Sequence, residues 1–211
     1  MTWKTNKEFI RRLFGGDVSA ERGMSVRTAV WLGLATALVL AVTVFQLHHQ
    51  GRLWWCSCSH WWPWAGDIWT LHNSQHIADP YSFTHVLHGV VLCGVLACVA
   101  ARLPWVWRLF LAISIEAAWE IFENSAFVIQ RYREATVSLG YTGDTIANSM
   151  GDVMFCSIGF MIARYLGLWR SVVFFLLIEL VLLLWCRDSL VLNIVMLIRP
   201  IDAIKIWQMN H

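Results

Sequence analysis

The chain has 211 residues, 58% of them apolar and 14% charged, with 16 lysines and arginines against 14 acids for a net charge of +2. Its mean hydropathy is +0.55; soluble domains carry nearer one quarter charged residues, so this composition predicts an all-α, polytopic membrane helical bundle. The small net charge argues against a nucleic-acid surface, and the sequence holds no glycine-rich phosphate loop, zinc-finger spacing, low-complexity tract or internal repeat.

Residues 1–27 form a basic arm ahead of a single membrane domain over 28–211. A spanning helix needs about 20 mostly apolar residues. Five stretches qualify, at about 28–47, 84–103, 106–127, 145–165 and 171–187. The first has no small-residue cleavage site and reads as a retained anchor, not a signal peptide. The loop 49–83 carries Trp54, Trp55, Trp61, Trp62, Trp64 and Trp69. Aromatic residues gather at the membrane–water boundary, so this loop is expected to lie on the surface as an anchor, with a lid as the alternative. Cys56 and Cys58 are too close in sequence for an easy bond, so free thiols or pairing with Cys186 are expected, with metal ligation a minor alternative. Cys93, Cys98 and Cys156 read as small apolar fillers. A last apolar stretch, 190–198, is too short to span and precedes Arg199-Pro200, so it predicts a short interfacial or re-entrant helix.

Basic residues set the orientation. Lys4, Lys7, Arg11, Arg12, Arg22, Arg27, Arg102, Arg108, Arg164 and Arg170, ten of the sixteen, fall on one side of the five spans. The positive-inside rule makes that side cytoplasmic, with the N-terminus inside and the C-terminus periplasmic or exterior. Every unusual polar residue then falls in the outer half: His85 and His88, Glu120, Glu123 and Asn124, Arg131 and Arg133, Asp144, Asn148 and Asp152, then Arg187, Asp188 and Asn193.

Glu116, Glu120 and Glu123 are spaced four and three apart and share a helical face; Asp144, Asn148 and Asp152 repeat the four-residue spacing, and His85 and His88 share a third face. An ionisable group near the centre of a membrane helix costs about 2.5–3.5 kcal/mol on insertion scales, so a gathering of them predicts a use. Carboxylates and imidazoles on facing helices suit general acid/base chemistry or a divalent metal such as zinc, with His85, His88, Glu123 and Asp144 as candidate ligands. The plainer alternative is a set of interhelical hydrogen-bonded struts, each contributing about 0.6–2 kcal/mol. Glu116, the deepest, reads as a strut or proton relay. Arg131 and Arg133 read either as snorkelling anchors or as a clamp for a phosphate.

The elements Cys56-Ser57-Cys58, Asn73-Ser74-Gln75-His76, Tyr81 to Gly89, Trp119-Glu120 through Ser125, Arg131-Tyr132-Arg133, Gly143 to Ser149, Arg187 to Leu190, Asn193 to Met196 and Ile204 to Trp207 lie in this order. Over about residues 50–208 the chain resembles an uncharacterised family of bacterial multi-pass inner-membrane proteins, a domain of unknown function. That resemblance implies location and topology but no activity. More distantly, a His, a Glu, an Arg and an Asp-x-x-x-Asn in that order are similar to VanZ-like membrane proteins, a group linked to glycopeptide tolerance. His85 or His88, Glu120 or Glu123, Arg131 or Arg133, and Asp144 with Asn148 take those places. A doubled His and Glu and the long tryptophan-rich loop depart from the pattern.

These readings combine into an inner-membrane protein with a polar cluster open to the outer leaflet. The expected chemistry is hydrolysis or group transfer on a lipid or lipid-linked envelope molecule. Glu120 or Glu123 is the expected base, with His85 and His88 as acid/base groups or ligands. Asp144 and Asp152 are expected to orient or ligate, and Asn124, Asn148, Arg131 and Arg133 to bind substrate. The alternative is a non-enzymatic membrane protein, a lipid binder or envelope-complex subunit, whose cluster is a structural network. No haem or iron–sulfur spacing supports redox chemistry.

Overall fold

The computed structural model describes residues 25–58, 60–136 and 140–210; the basic arm lies outside them apart from residues 25–27. Among these described residues eight helices follow in order: α1 Val26–His49, α2 Ser82–Val99, α3 Trp105–Glu123, α4 Ala126–Ala135, α5 Ile146–Leu166, α6 Leu168–Cys186, α7 Leu190–Ile198 and α8 Asp202–Met209. Four of them begin at a hydroxyl residue whose oxygen accepts the backbone N–H three positions on: Ser25, Ser125, Thr145 and Ser189. Such a cap satisfies a donor that the first turn leaves unpaired.

The helices α1, α2, α5 and α6 are long and apolar enough to cross a membrane. The helix α3 is 19 residues long. It carries Arg108, Glu116, Glu120 and Glu123, and packs against α1, α2 and α5. Trp31, Leu34, Leu38 and Phe45 of α1, and Leu176, Leu177, Leu180 and Leu184 of α6, are all more than half exposed. Apolar faces of that extent suit hydrocarbon, not water.

The helices α2 and α5 make the closest pairing, and glycines permit it. A Cβ added at Gly89 would lie 1.9 Å from the Cys156 carbonyl oxygen, and one at Gly159 would lie 1.9 Å from the Val86 carbonyl oxygen. Small residues of this kind let membrane helices pack backbone to backbone. Below the crossing lies an apolar core of Val90, Cys93, Leu96, Ala112, Phe160 and Ala163. Above it lie the ionisable groups. The tryptophan-rich loop closes that end, with Ile146 N–H donating to Leu53 O (2.8 Å) and Thr145 N–H to Ser74 O (3.1 Å).

Several boundaries differ from expectation. The stretch 106–127 is not one helix: α3 ends at Glu123, and Ser125 caps the new helix α4 inside what reads as a loop from sequence. The Asn124 side chain is drawn sideways to Asp144, and apolar spacing carries no sign of that. The second span ends at Val99, ahead of a turn that leads to Pro104. A further helix, α8, follows Pro200. Cys56 and Cys58 are joined to each other, while Cys186 is free and buried; the expected pairing with Cys186 is overturned.

The short helix α7 dips back beside α6. The chain reverses at Arg187, which is left-handed (φ 52°). Glu179, about two turns before the end of α6, then accepts the N–H groups of Leu190 (2.9 Å) and Val191 (3.2 Å). A carboxylate at a helix N-terminus meets both the unpaired donors and the positive end of the dipole.

Candidate functional site: a buried carboxylate and imidazole chamber

At the loop end of the bundle a chamber of about 60 Å³ is lined by Asn73, Ser74, Asp79, Tyr81, Thr84, His85, His88, Trp119, Glu123, Tyr132, Tyr141, Asp144, Asn148, Asp152, Leu190 and Asn193. The tryptophan-rich loop, α2, α3, α4, α5 and α7 all contribute. At about 10–15 Å³ per water, the space takes a few waters or one small chemical group, not an acyl chain.

Its floor is a carboxylate holding two imidazoles. Glu116 Oε1 lies 2.6 Å from His85 Nδ1 and 2.9 Å from His88 Nδ1. With Nδ1–H donated to Glu116, His85 turns its other nitrogen toward the chamber, where Nε2 stands 3.8 Å from Asp152 Oδ2. That separation is too long for a hydrogen bond. A buried carboxylate that fixes an imidazole and leaves Nε2 as a lone pair is the arrangement a general base requires. Ser82 Oγ donates to the other Asp152 oxygen at 3.2 Å and holds it in place.

The wall built by α3 and the loop before α5 is tightly bonded. Asn124 and Asp144 form a reciprocal pair, Nδ2 to Oδ2 at 2.8 Å and Asp144 N–H to Asn124 Oδ1 at 2.8 Å. Tyr141 donates its hydroxyl to Asp144 (2.8 Å) and Tyr132 donates to Glu123 (2.7 Å). Asn148 does not face substrate space with a free amide: its Nδ2 donates to the His76 carbonyl at 2.8 Å. Gly143 supplies a positive φ of 93° at this turn, beside the Asn124 amide and the guanidinium of Arg52.

One whole carboxylate and one oxygen of a second stand apart from this bonding. Both oxygens of Glu120 and Oε2 of Glu123 are buried without a hydrogen-bond partner among the described residues. The nearest imidazole nitrogen recorded for Glu120 is His85 Nδ1, at 3.5 Å. A buried carboxylate in that condition needs a proton or a cation beside it. His85, Glu120 and Glu123 each place one ligand atom within 4.8 Å of the others, as do His85, His88 and Glu116, so either trio could hold a divalent cation.

Outside the spans, burial dominates the titration. It pushes Asp79 up to about 6, against the pull of N–H groups from Ser74 and Tyr81. It raises Asp144 and pushes Asp188 up to about 6. The phenols of Tyr81, Tyr132 and Tyr141 are raised well above their ordinary value, first by burial and then by neighbouring carboxylates, so each remains an O–H donor.

The structure therefore gathers His85, His88, Glu123, Asp144, Asn148 and Asp152 around one space, with Glu120 buried against His85 and Asn124 bonded to Asp144. It does not bring Arg131 or Arg133 into the lining. Arg131 donates to the carbonyls of Leu197 (2.7 Å) and Ile198 (3.2 Å) at the C-terminus of α7, and Arg133 donates to Tyr141 O at 2.5 Å. Each guanidinium serves the backbone. Sequence reasoning missed Tyr132 and Tyr141 as chamber residues, because a tyrosine near a span end reads first as a boundary anchor. Glu116, read as a strut or proton relay, bridges to His85 and His88 of α2.

Spanning apolar helices around a buried ionisable chamber define this molecule as a polytopic helical membrane protein. Within that class the chain belongs to the family described as protein of unknown function (DUF2585), whose model matches residues 47–210. It is 44% identical over 182 residues to the UPF0314 protein R03235 of Rhizobium meliloti (strain 1021), covering 86% of this chain and 92% of the relative. It is 41% identical over 192 residues to the UPF0314 protein Atu8092 of Agrobacterium fabrum (91% and 95% covered). A UPF0314 protein of Paracoccus denitrificans is 41% identical over 174 residues (82% and 90% covered). No solved structure matches the chain.

Proposed function

We propose that this protein of the inner membrane carries out acid/base chemistry, hydrolysis or group transfer, on a lipid or lipid-linked envelope molecule. The chamber opens to the outer leaflet in this reading, and its positive-inside basis is the set Arg102, Arg108, Arg164 and Arg170 at the opposite end. One observation carries the proposal: Glu116 holds His85 by Nδ1 (2.6 Å) so that Nε2 stands 3.8 Å from Asp152 across the chamber. His85 takes a proton from an attacking water or hydroxyl and returns it to the leaving group, while Asp152 steadies the imidazolium. The volume of about 60 Å³ admits only the reacting linkage of a long substrate, whose chains stay in the bilayer. The residue order similar to VanZ-like proteins favours an envelope molecule.

The reading as a structural network draws support from the Asn124–Asp144–Tyr141 wall, where each of these polar side chains is bonded to another. The same wall would serve a lipid binder or the subunit of an envelope complex. Protein in nanodiscs containing a total envelope-lipid extract separates the two readings, with lipids followed by mass spectrometry. The wild-type protein is expected to deplete one species and yield its product, and His85→Gln to lose that turnover by about 100-fold or more. An unchanged lipid profile with folded wild-type protein would favour the network.

A further inference from the structure

A second cluster lies in the tryptophan-rich loop, apart from the chamber chemistry. Cys56, Cys58, His72 and His76 each place one ligand atom within 4.8 Å of the other three. Cys56 Sγ lies 3.7 Å from His72 Nδ1, Cys58 Sγ lies 3.7 Å from His76 Nε2, and the two imidazole nitrogens are 3.4 Å apart. Zinc bonds of about 2.3 Å to sulfur and about 2.0–2.1 Å to nitrogen, set at tetrahedral angles, require about 3.3–3.4 Å between two nitrogens and about 3.6 Å between sulfur and nitrogen. These three separations lie close to those requirements, while the two sulfurs, joined to each other here, would part to about 3.8 Å around the ion.

From this match we propose that the loop is a structural zinc site, with Cys56, Cys58, His72 and His76 as a closed set of four ligands in the dithiol form of the protein. The structure joins the two sulfurs to each other; zinc takes them instead as separate thiolates. The surrounding groups suit a metal. His76 Nδ1 lies 2.6 Å from the Trp62 carbonyl, so its N–H is donated there and Nε2 is left as a lone pair toward the cluster. An outer hydrogen bond of this kind orients a ligating histidine. The Cys58 backbone N–H donates to Cys56 Sγ at 3.2 Å, which steadies a thiolate. Trp55 stands edge-on to His76 at 5.7 Å, and His76 itself is 2% exposed.

The site's position gives it a role. The His76 carbonyl accepts from Asn148 of α5, and the neighbouring Asn73, Ser74 and Asp79 line the chamber. Zinc therefore ties together two distant parts of the loop, near residues 57 and 74, and holds the chamber's outer wall against α5. Four protein ligands leave no open position, so the ion fixes the fold and performs no chemistry.

The test uses the full-length protein in detergent, purified with a phosphine reductant, stripped with chelator, and titrated with zinc or cobalt(II) alone. Cobalt in a thiolate site gives a charge-transfer band that carboxylate and imidazole ligands cannot give, so the chamber does not contribute to this signal. One cobalt per chain with that band is expected, displaced by zinc, with a higher unfolding temperature in the zinc-loaded protein. The band should be lost in Cys58→Ser, weakened in His72→Asn, and unchanged in Glu120→Gln. Reduced wild-type protein without the band, or a band that survives Cys58→Ser, overturns the proposal. So does a folded protein whose two cysteines stay joined under reductant and take up no zinc.

Discussion

Asp188 is a buried acid just past the end of α6. Burial pushes it up to about 6, while Tyr81 donates to one of its oxygens at 3.0 Å and Ser189 N–H to the other at 2.9 Å. The native protein holds this proton more tightly than the unfolded chain does. Its contribution is therefore fully present below about pH 4, declines as pH rises through about 6, and is absent above. Asp79, also at about 6 for the same reason, adds a second decline in that window. Thermal unfolding from pH 4 to 7 should thus show stability falling with pH, by at most about 1.4 kcal/mol per unit for each group, and Asp188→Asn should make that fall shallower. A slope untouched by that substitution would mean Asp188 is ionised throughout. At this scale the sequence was legible where chemistry is costly: acids and imidazoles in apolar stretches announce themselves by their insertion cost. Tyr132, Tyr141 and the histidines of the tryptophan-rich loop carry no such cost at a membrane boundary, so their convergence needed three dimensions.

The pair α2–α5 governs whether the chamber exists at all. His85 and His88 ride on α2 and Asp152 on α5, and the Gly89 and Gly159 contacts set their separation. A methyl at Gly159 meets the Val86 backbone, not a flexible side chain, so Gly159→Ala must push the helices apart. The expected cost is about 1–3 kcal/mol. Ala at Gly33, inside α1 with nothing within 4 Å, serves as the control and should leave the unfolding temperature unchanged or raise it slightly. Equal stabilities for the two variants would remove the close crossing from the account. The spans 28–47, 145–165 and 171–187 lie within a few residues of α1, α5 and α6, because long apolar runs dictate their own state. The break at Asn124 falls on the polar triplet Glu123-Asn124-Ser125 inside an otherwise apolar stretch. Ser125 is a capping residue type, but apolar length alone runs the span past it, and the lateral bond to Asp144 makes the interruption plain. Likewise, Arg131 reads in sequence as a snorkelling anchor or phosphate clamp, and Arg187 and Lys205 carry no particular reading. In the fold they donate to carbonyls at the ends of α7, α8 and α4, where a cation complements the helix dipole.

The molecule as a whole is divided into an apolar half, built on the core around Phe160 and Leu96, and a half that keeps Glu116, Glu120, Asp144 and Asp152 nearly inaccessible. Among the described residues no lysine or arginine lines the chamber, so imidazoles, protons or a bound cation must balance these carboxylates. A scaffold selected for stability alone would replace such groups with apolar ones, since removing a bare buried charge is often neutral or stabilising. Glu120 separates the functional account from the structural one, because neither of its oxygens makes a hydrogen bond whose loss would weaken the fold. The decisive measurement is the unfolding temperature of Glu120→Gln against wild type in the same detergent near neutral pH, with chelator present so that no cation held by His85, Glu120 and Glu123 adds to the stability. The functional account predicts an unchanged value or a rise of about 2–4 °C for each kcal/mol gained. A fall of several degrees would show that Glu120 is a strut, and would contradict the reading of the chamber as a site of chemistry.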